Sequence, residues 1–166
     1  MSAHSWIPAY VGLGSNLDDP SARIAEACAA LAEIPNSRFV RASSLYRTPP
    51  FGPVAQPEFV NAVAALLTQL SPQELLAALK QVEARMGRTA PIVRWGPRRI
   101  DLDLLVYGDV TLEEPGITVP HPGIPERAFV LVPFAEIAPD LLVPRAGRVS
   151  MLLGRVDTSA VVRLAE

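Results

Sequence analysis

The stretch Ser71 to Gly87, SPQELLAALKQVEARMG, is punctuated at both ends. Ser71 and Glu74 stand at capping-box spacing, Pro72 takes the first helical position, and Gly87 closes the far end. Between them Leu75, Leu76, Leu79, Val82 and Met86 recur at helical period on one stripe. Such a stripe must be buried against something. The run just upstream, Phe59 to Leu67, is apolar and of strand length, so the pair predicts a helix packed on a sheet.

The rest of the chain extends this unit. Ala9 to Leu13 is an apolar run ending in Gly-Ser-Asn, which predicts a first strand and a turn. Asp19 then caps a helix with Pro20 at its first position and Ile24, Cys28 and Leu31 on one face. Phe39 to Tyr46 reads as a strand, separated from Phe59 to Leu67 by the proline-rich loop TPPFGPVAQP. Gly87 to Arg99 shows no period, and a structureless segment of that length within a domain is more often a working lid than a connection. Ile100 to Tyr107 is the next strand, EPGITVPHPGIP a second proline-rich loop, and Glu126 to Ile137 a helix. The tail after Pro139 has no clear pattern. The order strand, helix, strand, strand, helix, strand predicts an α+β fold of the ferredoxin-like kind: an antiparallel sheet with packed helices and long loops free to carry chemistry.

Bulk properties narrow the classes. At 166 residues the chain fits one domain spanning residues 1–166. No apolar run is long enough for a bilayer, and the N-terminus lacks a basic region followed by an apolar one, so a soluble, cytoplasmic protein is expected. The lone cysteine, Cys28, excludes an internal disulfide and a cysteine-based zinc site. A net charge of −2 gives no global field toward nucleic acid or anionic membrane, so any anion site is local. All of the 15 basic residues except Lys80 are arginine, which with abundant Ala and Pro reads first as genome composition.

The chemistry concentrates at the entrance of the strand beginning at Ile100. Asp101 and Asp103 share one strand face, with Cα atoms about 6.6 Å apart at a rise of roughly 3.3 Å per residue, while Leu102, Leu104 and Val106 take the other. Two parallel carboxylates repel unless protons or cations intervene, and carboxylate oxygens without His or thiolate partners suit magnesium. An Asp-x-Asp pair alone reads equally as a strand end in water or as partners for Arg98 and Arg99. Context favours the cation. No acid lies between Glu83 and Asp101, whereas Arg85, Arg88, Arg94, Arg98 and Arg99 do, and carboxylates beside a cationic loop make the two halves of a polyphosphate site. Arg85, late in its helix, is accounted for by the helix dipole.

Other motifs are weaker. Gly12 to Asn16, GLGSN, lacks the Lys-Ser/Thr of a phosphate loop and the third glycine of a dinucleotide fingerprint, and reads as a tight turn. His121, six residues before Arg127, could supply a second phosphate clamp. Phe51, Phe59, Trp95 and Phe129 lie in or beside the same loops and together could stack on a flat aromatic ligand.

In order, GLGSN, SSLYRTPPFGP, QPEFVNAV, GRTAPIVRWGPRRIDLDLL and VPHPGIPERAFVLVPFAEIAP resemble the signature blocks of the 6-hydroxymethyl-7,8-dihydropterin pyrophosphokinases, over about residues 9 to 143. The resemblance implies a ferredoxin-like fold and transfer of diphosphate from ATP to the pterin hydroxymethyl group, releasing AMP, in folate biosynthesis. It implies that Asp101 and Asp103 hold two magnesium ions, with Arg88 and Arg98 contacting phosphates as the loop closes and His121 and Arg127 opposite them. The pterin would lie between Phe59 and Phe129, bonded to Asn61 and to backbone around Thr48, Pro50 and Phe51. Glu83 and Trp95 match positions near the nucleotide and on the closing loop.

The chain departs from some members in carrying Ala90 where they have a further arginine, Phe59 where they have tyrosine, and Pro122 after the loop histidine where they have tyrosine. Two other classes remain open on the residues alone: a ferredoxin-like module binding single-stranded nucleic acid, and a metal-dependent phosphohydrolase. The partners expected are ATP and the pterin, with no nucleic acid and no membrane, and the default assembly is a monomer.

Overall fold

A computed structural model describes residues 5–50, 53, 55–87 and 99–165. In chain order the elements are β1 (Ile7–Ser15), α1 (Pro20–Leu31), β2 (Ser37–Ala42), β3 (Tyr46–Thr48), β4 (Phe59–Thr68), α2 (Pro72–Arg85), β5 (Asp101–Tyr107), β6 (Leu112–Glu114) and β7 (Ile117–Val119). A single 3-10 turn at Ile124–Glu126 precedes α3 (Ala128–Ile137), β8 (Leu142–Val143), β9 (Gly147–Arg148), α4 (Val149–Leu153) and β10 (Val162–Arg163).

The main sheet runs β10-β3-β4-β1-β5, with β2 also on β4, and every pairing is antiparallel. β2 and β3 lie end to end along one side of β4, so with β1 and β5 on its other side the order is the ferredoxin-like one expected. The capping box of α2 forms both of its bonds, Ser71 N–H to Glu74 Oε1 at 2.8 Å and Glu74 N–H to Ser71 Oγ at 3.1 Å. Asp19 caps α1 through Ala22 N–H.

Two apolar cores lie on opposite faces of the sheet. Ile24, Ala27 and Leu31 of α1 and Leu75, Leu79 and Val82 of α2 pack on Ala9, Val11, Leu13, Ala62, Ala64, Leu66, Leu102 and Leu104. Val130, Leu131 and Phe134 of α3, with Val149 and Leu152 of α4, pack on Val63, Leu105 and Val106. The molecule is therefore three layers, helices on both faces of an open sheet.

Several local expectations change. The strand predicted over Phe39 to Tyr46 is two strands, because Ser43 interrupts the ladder: its N–H goes to Val63 O at 2.8 Å while its hydroxyl accepts from Val63 N–H at 3.0 Å. The loop read at EPGITVPHPGIP contains β7 and the turn that joins it to β6, its antiparallel partner. The tail after Pro139 supplies the β8–β9 ribbon, α4, and the edge strand β10. Val106 joins the core on the aspartates' face, not that of Leu102 and Leu104, because the β1–β5 register slips between Tyr10 and Val11. A bulge at Leu105 reverses the alternation.

Candidate active site

β1, β4 and β5 present one face toward α3, and the bulge fixes which β5 side chains share it. Gly12 stands opposite Asp103, and Gly14 opposite both Asp101 on β5 and Asn61 on β4. Glycines inside a strand weaken it, and two on one face mark a floor kept low for something that comes close. A Cβ on Gly14 would stand 2.9 Å from Asn61 Oδ1. GLGSN is thus mostly strand, not the tight turn expected, and its buried Asn16 ties the strand end to the next loop by donating to Gln56 Oε1 and Pro57 O, each at 2.9 Å.

Above this floor is a cavity of about 170 Å³ lined by Thr48, Pro49, Phe59, Asn61, Arg127, Phe129 and the two aspartates. Its mixture of two aromatic rings with a few placed polar groups suits a flat, polar-edged ligand. Asn61 is buried, and its Nδ2 donates to Thr48 Oγ1 at 2.7 Å. Pro49 stands beside Thr48 in the wall.

A second cavity of about 470 Å³ opens on the other side of Asp101 and Asp103, lined by Leu76, Lys80, Glu83, Thr118, His121 and Pro122 among others. The aspartate pair is common to both cavities. Glu83 is buried and its Oε2 accepts from Leu102 N–H at 2.7 Å. His121 Nδ1 accepts from Gly123 N–H at 2.9 Å, so the neutral ring carries its proton on Nε2. Burial holds the imidazole below its ordinary pKa, and the Arg127 charge adds to this against a smaller opposing pull from Asp101.

The structure therefore gathers Thr48, Phe59, Asn61 and Phe129 round one cavity and Glu83 with His121 round the other, with Asp101 and Asp103 between. Arg127 borders the first cavity, its Cζ 5.7 Å from the Phe129 ring centroid. Phe51, Arg88, Ala90, Arg94, Trp95 and Arg98 lie outside the described residues. The two ends of that stretch meet: Gly87 has φ +93°, and a Cβ there would lie 3.0 Å from Arg99 Nη1. Arg99 itself pairs with Asp18, Nε to Oδ2 at 3.8 Å. Among the described residues no three His, Cys, Asp or Glu cluster as a metal cage. Two carboxylates on one strand face still fit magnesium, which is commonly held by one or two carboxylates with substrate phosphates and water completing the shell.

Residues 10–139 match the sequence model of the 7,8-dihydro-6-hydroxymethylpterin-pyrophosphokinase family. The chain belongs to this family. It is 45% identical over 155 residues to the 2-amino-4-hydroxy-6-hydroxymethyldihydropteridine pyrophosphokinase of Pseudomonas aeruginosa, covering 93% of this chain and 95% of that one. The Haemophilus influenzae protein of the same name is 39% identical over 158 residues, with 95% and 98% covered. The crystal structure of wild-type Plasmodium falciparum HPPK-DHPS with pteroate superimposes with a TM-score of 0.71 over 93% of this chain at 14% identity. That likeness concerns the fold, and the chain spans 43% of the larger protein.

Proposed function

We infer that the chain transfers diphosphate from ATP to the hydroxymethyl group of 6-hydroxymethyl-7,8-dihydropterin and releases AMP. Family membership supports this reading over a nucleic-acid-binding module or a phosphohydrolase. The observation that carries it is the shared wall: Asp101 and Asp103 border both the aromatic cavity and the larger one.

In this reading the pterin ring stacks between Phe59 and Phe129, with Asn61 and the Thr48–Pro50 backbone along its polar edge. ATP occupies the larger cavity beside Glu83 and His121. Asp101 and Asp103 hold magnesium, two ions in the full assembly, which offsets triphosphate charge when bound. The pterin hydroxyl attacks the β-phosphorus in line, the bond to the α-phosphate oxygen breaks, AMP leaves, and the hydroxyl proton is released to solvent. His121 donates from Nε2, and Arg127, Arg88 and Arg98 neutralise the charge that develops on phosphoryl oxygens; such preorganised donors supply several kcal/mol each. Holding the two substrates in register supplies the larger entropic share. Closure of the stretch from Gly87 to Arg99, carrying Trp95, keeps water from taking the diphosphate.

The same reading takes the chain as one domain acting as a cytoplasmic monomer. Among the described residues no helix is long and apolar enough to cross a membrane. The test is purified protein with magnesium ATP, assayed for AMP with and without the hydroxymethylpterin. AMP release should depend on the pterin; release that ignores it marks a hydrolase, and none under either condition sinks the assignment.

A further inference from the structure

The turn after His121 brings two site residues against one small one. Gly123 donates its N–H to His121 Nδ1 at 2.9 Å. A Cβ on Gly123 would stand 2.6 Å from Arg127 Nε and 2.8 Å from its Cζ. The backbone at Gly123, φ −81° and ψ −9°, is open to any residue, so conformation does not require glycine. The guanidinium packed on its bare α-carbon does. The same guanidinium carbon stands 5.7 Å from the Phe129 ring centroid, and Arg127 lines the cavity wall together with Asp101 and Asp103.

We propose that Gly123 is a positioning residue for nucleotide binding: its missing Cβ seats Arg127 and its N–H orients His121, making the two a single clamp for phosphoryl oxygens. The inference rests on the reading in which Arg127 binds the triphosphate. A methyl group at Gly123 collides with the outer end of a flexible side chain, and Arg127 can swing away without disturbing the backbone. The substitution therefore displaces the cation and leaves the fold intact. The main-chain bond to His121 survives it, since alanine keeps the N–H.

The experiment uses the full chain with Gly123→Ala, Arg127→Ala and the double variant. Calorimetry with magnesium and α,β-methylene-ATP reads binding, the AMP assay reads turnover, and thermal melting reads the fold. Gly123→Ala should melt within about 2 °C of the parent. It should lose about tenfold in nucleotide affinity or kcat/KM, the scale of one charge-assisted contact. In the Arg127→Ala background it should cost nothing more, because no guanidinium remains to displace. Multiplicative losses, a Gly123→Ala variant equal to the parent beside an impaired Arg127→Ala, or a melting drop of more than about 5 °C would each overturn the proposal. An unimpaired Arg127→Ala instead removes the reading of Arg127 beneath it, and the single variants tell these failures apart.

Discussion

Glu83 and Leu102 are joined by a 2.7 Å hydrogen bond from a strand N–H to a buried carboxylate. Leu102 is the residue between Asp101 and Asp103, and among the described residues β5 is the last strand on its side of the sheet. The bond therefore satisfies an edge N–H and fixes the backbone from which both aspartates project. Glu83→Gln keeps an acceptor oxygen and should fold normally. Glu83→Ala leaves the N–H buried and unpaired, at a cost of about 1–3 kcal/mol. The alanine variant should also need several-fold more magnesium for half-maximal AMP release, since the carboxylates lose their fixed stance. Melting curves and magnesium titrations check both expectations; an alanine variant matching the parent in each would leave Glu83 without this role.

The aspartates themselves separate metal loading from pterin binding. Asp103→Asn is nearly isosteric but removes a charge from the pair. Turnover should fall by about 10²–10³ at any magnesium concentration, the scale seen when a charge-stabilising group is removed. Pterin affinity measured without nucleotide should change by only a few-fold, because the ring is held by Phe59, Phe129 and Asn61. Substantial turnover rescued by high magnesium would make Asp103 a helper rather than a ligand.

Gly14 gives a sharper probe of the aromatic cavity. Its Cβ position lies 2.9 Å from Asn61 Oδ1, and Asn61 is already engaged with Thr48 at 2.7 Å. Gly14→Ala must push a buried amide out of place, with an overpacking cost of about 1–3 kcal/mol. KM for the pterin should rise by about tenfold while KM for ATP stays near the parent value. Equal changes in both would mean that the sheet as a whole has shifted.

The secondary elements with strong local grammar were legible in the residues. Ser71, Pro72, Glu74 and Gly87 mark the ends of α2, and Asp19 and Pro20 the start of α1, because caps and prolines act over one turn of chain. The aspartate pair was legible because carboxylates are costly in strands. What depended on tertiary pairing was not. The bulge at Leu105 arises from register with β1, so alternation along β5 alone put Val106 on the wrong face. Ser43 breaks a strand only because Val63 lies opposite. Gly12 and Gly14 carried a readable signal, two glycines at alternate strand positions, but the turn chemistry of Gly-Ser-Asn competed with it. The tail after Pro139 forms two-residue strands, β8 and β9 paired with each other and β10 with β3, and strands so short leave little periodicity to read.

Tyr46 of β3 and Glu136 of α3 tie the sheet to that helix, and this link should show in the pH dependence of stability. Tyr46 Oη donates to Glu136 Oε1 at 2.6 Å, and the same carboxylate accepts from Ser44 N–H at 3.0 Å and Ser44 Oγ at 2.9 Å. Burial, then the bonded carboxylate, pushes the Tyr46 hydroxyl up to about 12. For Glu136 burial acts upward, but the bonds from Tyr46 and Ser44 outweigh it and hold the carboxyl below its ordinary value. An unfolded tyrosine loses its proton near pH 10, roughly two units before the folded one. Tyr46 thus contributes fully below about pH 10, and its contribution fades as pH rises from there to about 12. Glu136 behaves oppositely: its contribution is full above the ordinary carboxylate range and is lost as pH falls through its depressed folded value. Tyr46→Phe should cost about 1–2 kcal/mol at neutral pH and flatten the alkaline decline. Melting temperatures of parent and variant from pH 8 to 12 provide the check, and parallel curves across that range would show that the Tyr46 proton is not linked to folding.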